Sequence, residues 1–277
     1  MVDEGNKRLL RFDTTGESAV QVKRFTKPPY DVAVAPDGSL YVTETLTNKI
    51  HHLAPDGTVL GPPCGSTGDK NNQFRDLRGI DVGNNGWFYV ADAGHNLIKA
   101  FESPCKFKKK LGGSGQLNQP YDVAVDDELN MYVADSGNHR IARYRANDDF
   151  KSLCGKKGKR QKQFNQPKFL TTDVAGNVYV SDSENHRVQK LDFTTTTCGV
   201  KALWGAPGST AGNFNGSRGI AVEPDGSFVY VADTNNHRVE KFIRVSPTPT
   251  NTPITPTNTP ITPTNTPITP TNTPITP

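Results

Sequence analysis

Acidic residues recur along this chain at a nearly constant interval: Glu44, Asp92, Asp135, Asp182 and Asp233 stand 48, 43, 47 and 51 residues apart. Histidines follow the last three at a fixed offset, as His139, His186 and His237. Carboxylates work as paired general acids and bases, and together with histidines they ligate metals, provided they converge on one point. One acid and one histidine per structural unit are instead held apart by the size of the unit. The carboxylates are therefore expected to cap turns by accepting backbone N–H bonds. The histidines are expected to pack in the turns, with ring nitrogens bonding the repeat's Asp or the backbone. His51 and His52 are adjacent and face opposite sides of a strand, so they cannot share an ion. No Gly-x-Ser-x-Gly elbow, phosphate loop or Cys-x-x-Cys pair is present. The expectation is a non-catalytic protein with no metal site and no cofactor.

The units that carry these residues are β in their local chemistry. Five segments read apolar strand, turn, aromatic or β-branched strand, acid, short turn, strand, from "PYDVAVAPDGSLYVTETLTNKIHHL" to "SRGIAVEPDGSFVYVADTNNHRVEKF". Val229-Tyr230-Val231 alternates with period two, and Pro36-Asp37-Gly38 and Pro224-Asp225-Gly226 form turns. A sixth copy, "VDEGNKRLLRF", opens the chain at Asp3 and starts in mid-repeat, which predicts a processed or incomplete N-terminus. Units of this length cannot bury both faces alone and stack radially as blades.

The string Tyr/Phe-Val-Ala/Ser-Asp-x-x-Asn-His-Arg-Val/Ile, complete around Asp135, Asp182 and Asp233, resembles the NHL repeat. The resemblance implies an all-β propeller over residues 1–245, with the repeat acids and histidines as structural positions. Asn48-Lys49 and His95-Asn96 depart from the pattern, so altered turns are expected there. Five innermost strands against six third strands leave five and six blades both open. Closure is expected from the N-terminal outer strand at Ala19 to Phe25, which would complete the blade begun at Ile220.

Cys64 and Cys154 fall in outer strands, and Cys105 and Cys198 fall just before them. This doubled arrangement predicts Cys64–Cys105 and Cys154–Cys198 bridges between adjacent blades, and with them an oxidising compartment, four unpaired thiols being the alternative. Two basic runs, Lys106 with Lys108–Lys110 and Lys156-Lys157 with Lys159, Arg160 and Lys162, are read as a solvated rim. Aromatic interleaving is limited to Phe107, and the net charge is only +4, so a nucleic-acid partner is not expected. Asn215-Gly216-Ser217 is a single N-glycosylation pattern.

Residues 246–277 are of another kind. They hold 13 Thr, 10 Pro, 4 Asn, 4 Ile and one Ser, in a Thr-Asn-Thr-Pro-Ile-Thr-Pro repeat without charge or aromatic residue. Proline at intervals of three and four residues predicts extended polyproline II. Seven residues do not divide by three per turn, so the isoleucines spiral and the threonines are shown on every side. Such a segment resembles an O-glycosylated stalk. The acceptors would be Thr248, Thr250, Thr252, Thr255, Thr257, Thr259, Thr262, Thr264, Thr266, Thr269, Thr271, Thr273 and Thr276. The reading that emerges is an extracellular or cell-surface structural protein. Its propellers would associate with one another through glycosylated rods, as oligomers or filaments, with a protein or glycan ligand on the propeller face. The alternatives are a binding module for protein, glycan or RNA with a disordered linker, and a propeller lyase or lactonase. No apolar run is long enough to span a bilayer.

Overall fold

The strand runs "FYVAD", "MYVAD" and "VYVSD" are buried along their whole length, without the alternation of a sheet that faces water on one side. Both faces of these sheets must therefore be covered by protein. The computed structural model describes residues 1–13, 18–113, 115–193, 197–243 and 256–257, and it explains the pattern: six antiparallel sheets stand face to face. Blade 1 consists of β1 (Val2–Asp3), β2 (Arg8–Phe12) and β3 (Ala19–Arg24), and blade 2 of β4 (Asp31–Val34), β5 (Leu40–Glu44) and β6 (Lys49–Leu53). Blade 3 runs β7 (Leu77–Val82), β8 (Trp87–Asp92), β9 (Leu97–Glu102) and β10 (Lys106–Gly112). Blade 4 runs β11 (Pro120–Val125), β12 (Met131–Asp135), β13 (Arg140–Tyr144) and β14 (Phe150–Cys154). Blade 5 runs β15 (Pro167–Thr172), β16 (Asn177–Asp182), β17 (Arg187–Asp192) and β18 (Gly199–Trp204). Blade 6 runs β19 (Ser217–Val222), β20 (Phe228–Asp233), β21 (Arg238–Ile243) and β22 (Pro256–Thr257).

The blade count is thus six, and closure differs from the expectation. Ala19–Arg24 pairs with β2 in a sheet of its own, and the outer position of blade 6 is taken by the backbone of Pro256–Thr257 against Phe242 and Lys241. An edge strand tolerates proline because its N–H has no ladder partner to lose. The other residues of 246–277, with all the threonine acceptors except Thr257, lie outside the described residues.

Five hydrophobic clusters hold the ring, one at each interface from blades 1/2 to blades 5/6. Between blades 6 and 1 the described residues form an ion pair: Arg218 Nη1 lies 3.2 Å from Glu4 Oε2, both partly exposed. In β20 buried and half-buried residues alternate, whereas β12 and β16 are buried throughout. Among the described residues no helix is long and apolar enough to cross a membrane.

Cys64 is bridged to Cys105 and Cys154 to Cys198, with Cα atoms 5.4 and 5.7 Å apart. The first bond staples blade 2 to blade 3 and the second staples blade 4 to blade 5. Each closes a loop of 41 or 44 residues. The double substitution Cys154→Ser/Cys198→Ser should lower the unfolding free energy by about 4 kcal/mol in denaturant titration. A loss below about 1 kcal/mol would mean that the reduced chain is already confined by other contacts.

Candidate functional site

Blades 2 to 6 each turn from their second to their third strand through one turn of 3-10 helix, closed by a residue with left-handed backbone. That residue is Asn48, Asn96, His139, His186 or His237, with φ between 53 and 59°. Asn and His are among the few side chains that enter this region readily. Blades 2 and 3 therefore do not have altered turns, contrary to expectation. Asn48 and Asn96 stand in the histidine's place, and their side chains do its work. Asn48 Oδ1 accepts from the Leu77 N–H at 2.9 Å and Asn96 Oδ1 from Gln119 at 2.7 Å. His139 Nδ1 accepts from Gln166 at 3.0 Å and His186 Nδ1 from Gly216 at 3.1 Å. In every case the bond ties one blade to the loop that starts the next.

The repeat acids also bond backbone, but not that of the turn they precede. The Oδ1 atoms of Asp92, Asp135, Asp182 and Asp233 accept from the N–H groups of Arg75, Asn118, Asn165 and Asn215, at 2.7 to 2.9 Å. These donors lie in the loop leading into the same blade, so the carboxylates anchor entry loops rather than cap turns. Oδ2 takes the Asn three residues on and the Arg five residues on: for Asp182, Asn185 at 2.9 Å and Arg187 Nε at 2.7 Å. Asp92 is satisfied instead by His95 and Lys99, each at 2.7 Å. Glu44 receives the Thr47 hydroxyl and stands 3.5 Å from His51 Nε2. His51 packs on Phe25 of blade 1, while His52 stacks on Tyr41 and bonds Ser39, on the opposite face.

The guanidinium completes the unit. Arg187 donates to the carbonyls of Lys159, Arg160 and Gln163, and Arg238 donates to those of Ser209, Thr210 and Asn213. Each Arg wraps the preceding loop around a buried charge pair.

Two features of the central channel escaped sequence reasoning. The inner edges of the ring present N–H groups without ladder partners, and carboxylates from neighbouring blades meet three of them. Asp31 Oδ2 accepts from Ile80 at 3.0 Å, Asp81 Oδ2 from Val125 at 2.8 Å and Asp122 Oδ2 from Leu170 at 3.0 Å. Gly79 makes room for the last: a Cβ there would stand 2.0 Å from Asp122 Oδ1. At the channel mouth, Tyr30, Tyr121 and Phe169 converge from three blades, with centroids 5.7 to 6.0 Å apart. Arg78 lies over the Tyr121 ring at 4.1 Å and pairs with Asp76, while Lys168 pairs with Glu184. Bulges at the start of β7, β11, β15 and β19 re-aim these side chains. The signal in the sequence was the identical Tyr-Asp-Val-Ala-Val at 30–34 and 121–125.

Burial pushes Asp31 up to about 6 and Asp81 up to about 7, against the lowering effect of their backbone N–H bonds. Burial, with the charges of Asp31 and Asp81, raises Asp122 well above the ordinary carboxyl range. Burial and the neighbouring Tyr121 hold the Tyr30 phenol up as well.

The two basic runs part company. Lys108 pairs with Glu102 and lies over Trp87, and Lys109 pairs with Asp148. Lys156, Lys157, Lys159, Arg160 and Lys162 are exposed on the loop between β14 and β15. Asn215 is exposed, its amide oxygen accepting from Asn235 at 3.4 Å, while Ser217 of the same glycosylation pattern is buried. Among the described residues no group of three His, Cys, Asp or Glu side chains is placed to hold a metal ion.

Two measurements probe this arrangement. Arg187→Leu should lower the unfolding free energy by about 3–5 kcal/mol, because it strands the Asp182 charge. Arg218→Leu, at the exposed pair, should cost no more than about 1 kcal/mol, and equal losses would refute the distinction. The three channel acids have folded pKa values above the unfolded value of about 3.9. Their contribution is complete below about pH 4 and is lost as pH rises through 6 and 7. Stability should fall more steeply from pH 5 to pH 8 in the wild type than in Asp81→Asn, and matching slopes in urea titrations would exclude this role for Asp81.

The NHL repeat family matches this chain at residues 117–144, 164–191 and 214–242, which span the first three strands of blades 4, 5 and 6. No curated protein matches it in sequence. Among solved structures it is similar to a protein of unknown function from Bacteroides thetaiotaomicron, with a TM-score of 0.69 at 16% identity over 87% of this chain and 65% of that one. A catalytically inactive virginiamycin B lyase from Staphylococcus aureus, solved with quinupristin, gives 0.63 at 12% over 90% and 76%. The nidogen/laminin complex gives 0.60 at 18% over 73% of each chain. At these identities the likeness is one of fold, and it is that of a β-propeller carrying three NHL repeats.

Proposed function

We propose that the protein is a non-catalytic extracellular structural and interaction module. In this reading the propeller is the rigid body, and the Thr/Pro repeat is an O-glycosylated rod through which copies associate into a filament. The observation that carries the reading is the commitment of the repeat side chains. The acids of the Asp-x-x-Asn-His-Arg units are spent on entry loops and on their own Asn and Arg, and His139 and His186 on the loop of the next blade. Such groups stiffen a scaffold rather than turn over a substrate. Disulfides across two interfaces fit an oxidising compartment. The covalent groups required are glycans on the threonines, and no cofactor is needed. A second reading, ligand capture at the channel mouth, is favoured by the aromatic triad with Arg78 and Lys168 beside it.

Intact-mass measurement of native protein, with fragmentation across 246–277, decides the first reading. Hexose-sized increments on several threonines are expected, together with assemblies larger than a monomer by light scattering. A bare tail on a monomeric protein would sink the proposal.

A further inference from the structure

Three entry loops share one build. Thr67 pairs with Phe74, Lys157 with Phe164 and Pro207 with Phe214 in parallel bridges, and each phenylalanine is fully buried. The seven residues in the middle of each loop differ sharply in charge. Residues 66–72 read STGDKNN and residues 206–212 read APGSTAG, whereas residues 156–162 read KKGKRQK. Five cations thus occupy one loop where its counterparts hold a Lys beside an Asp, or none.

These five side chains are exposed, and among the described residues none of them makes an ion pair to an acid. Two basic groups on the strands that follow the loop are paired: Lys168 with Glu184 and Arg187 with Asp182. The loop backbone is held firmly. Arg187 takes the carbonyls of residues 159, 160 and 163, Asn185 Nδ2 donates to the Gly158 carbonyl at 2.8 Å, and Gln189 Oε1 accepts from the Lys162 N–H at 3.1 Å. Five like charges on an anchored loop repel one another without local relief, and a polyanion removes that repulsion.

We propose that the loop at 156–162 is a docking site for an anionic polysaccharide bearing sulfate or carboxylate groups. The loop offers no exposed aromatic ring for base stacking, since Phe164 is fully buried, and this argues against single-stranded nucleic acid. Nor does it offer an exposed apolar anchor. Four of its five cations are lysines, a residue depleted at protein–protein interfaces. A flexible chain of spaced anions meets both conditions. The proposal takes from the functional reading only its extracellular setting and is independent of the tail.

The test uses the full chain and three probes at matched ionic strength: size-defined heparin fragments, poly-L-glutamate and single-stranded poly(U). Two variants of equal net charge are compared with the wild type. One replaces Lys156, Lys157, Lys159, Arg160 and Lys162 by Gln. The other replaces the exposed Arg24, Lys27, Lys70, Lys106 and Lys110 by Gln. Heparin should bind the wild type most tightly of the three probes, and the loop variant should lose at least about tenfold in affinity while the control variant loses less than about threefold. Both variants should keep the wild-type thermal midpoint, because the replaced side chains are solvent-exposed. Equal losses in the two variants, or no heparin binding at physiological salt, would overturn the site. Tighter binding of poly(U) or polyglutamate would overturn the ligand class. Tail glycosylation does not enter the readout, so failure here is distinguishable from failure of the filament reading.

Discussion

A carboxylate with no exposed surface, bonded on one oxygen to a loop N–H and on the other to an Asn and an Arg, is the contact on which the ring depends. At Asp182 the side chain is fully buried, and its Arg187 partner is 9% exposed. Such a pair is held together less by its own attraction than by the cost of leaving either charge unpartnered. Its position gives it reach. The Asp fixes the loop that enters its own blade, the Arg gathers that loop's carbonyls, and the residue beside the Arg reaches across to the next blade's loop. A six-residue string therefore specifies a turn, a loop and an interface together.

Between blades the apolar clusters supply most of the cohesion, and the polar ties determine register. The inner-strand carboxylates show the difference. Asp31, Asp81 and Asp122 each close one unpaired N–H on a neighbouring inner strand, yet burial raises all three pKa values, so their ionised form is disfavoured where they sit. They align strands at the expense of charge stability. Blades 5 and 6 carry no such acid: Phe169 and Gly219 stand where Asp31 and Asp122 do, and Thr171 and Ala221 where Asp81 does.

Much of this was legible in the sequence because the repeat is local. The repeats, their second and third strands, and both cysteine pairs could be read from spacing, whereas the number of blades stayed open between five and six. The turns at Asn48 and Asn96 could not, because a left-handed φ accepts Asn or His and the two spell different words for one conformation. Ring closure was hidden because strand pairing across distant segments leaves no trace in composition, and the sheet formed by Val2–Asp3, Arg8–Phe12 and Ala19–Arg24 is indistinguishable in sequence from a strand donated elsewhere. The channel triad joins Tyr30 to Phe169 across most of the ring, a contact that only the curvature of the whole assembly creates.

The disulfides fall on alternate interfaces, and this has a mechanical meaning. A chain pulled from its ends can pay out only the segments outside its covalent loops. The segments from Cys64 to Cys105 and from Cys154 to Cys198, with sequence separations of 41 and 44, stay sequestered, each withholding roughly 140–150 Å of contour at about 3.4 Å per residue. Under tension the body thus has a hard limit of extension well short of its full length, with blades 2 and 3, and blades 4 and 5, still tied together when the rest has yielded.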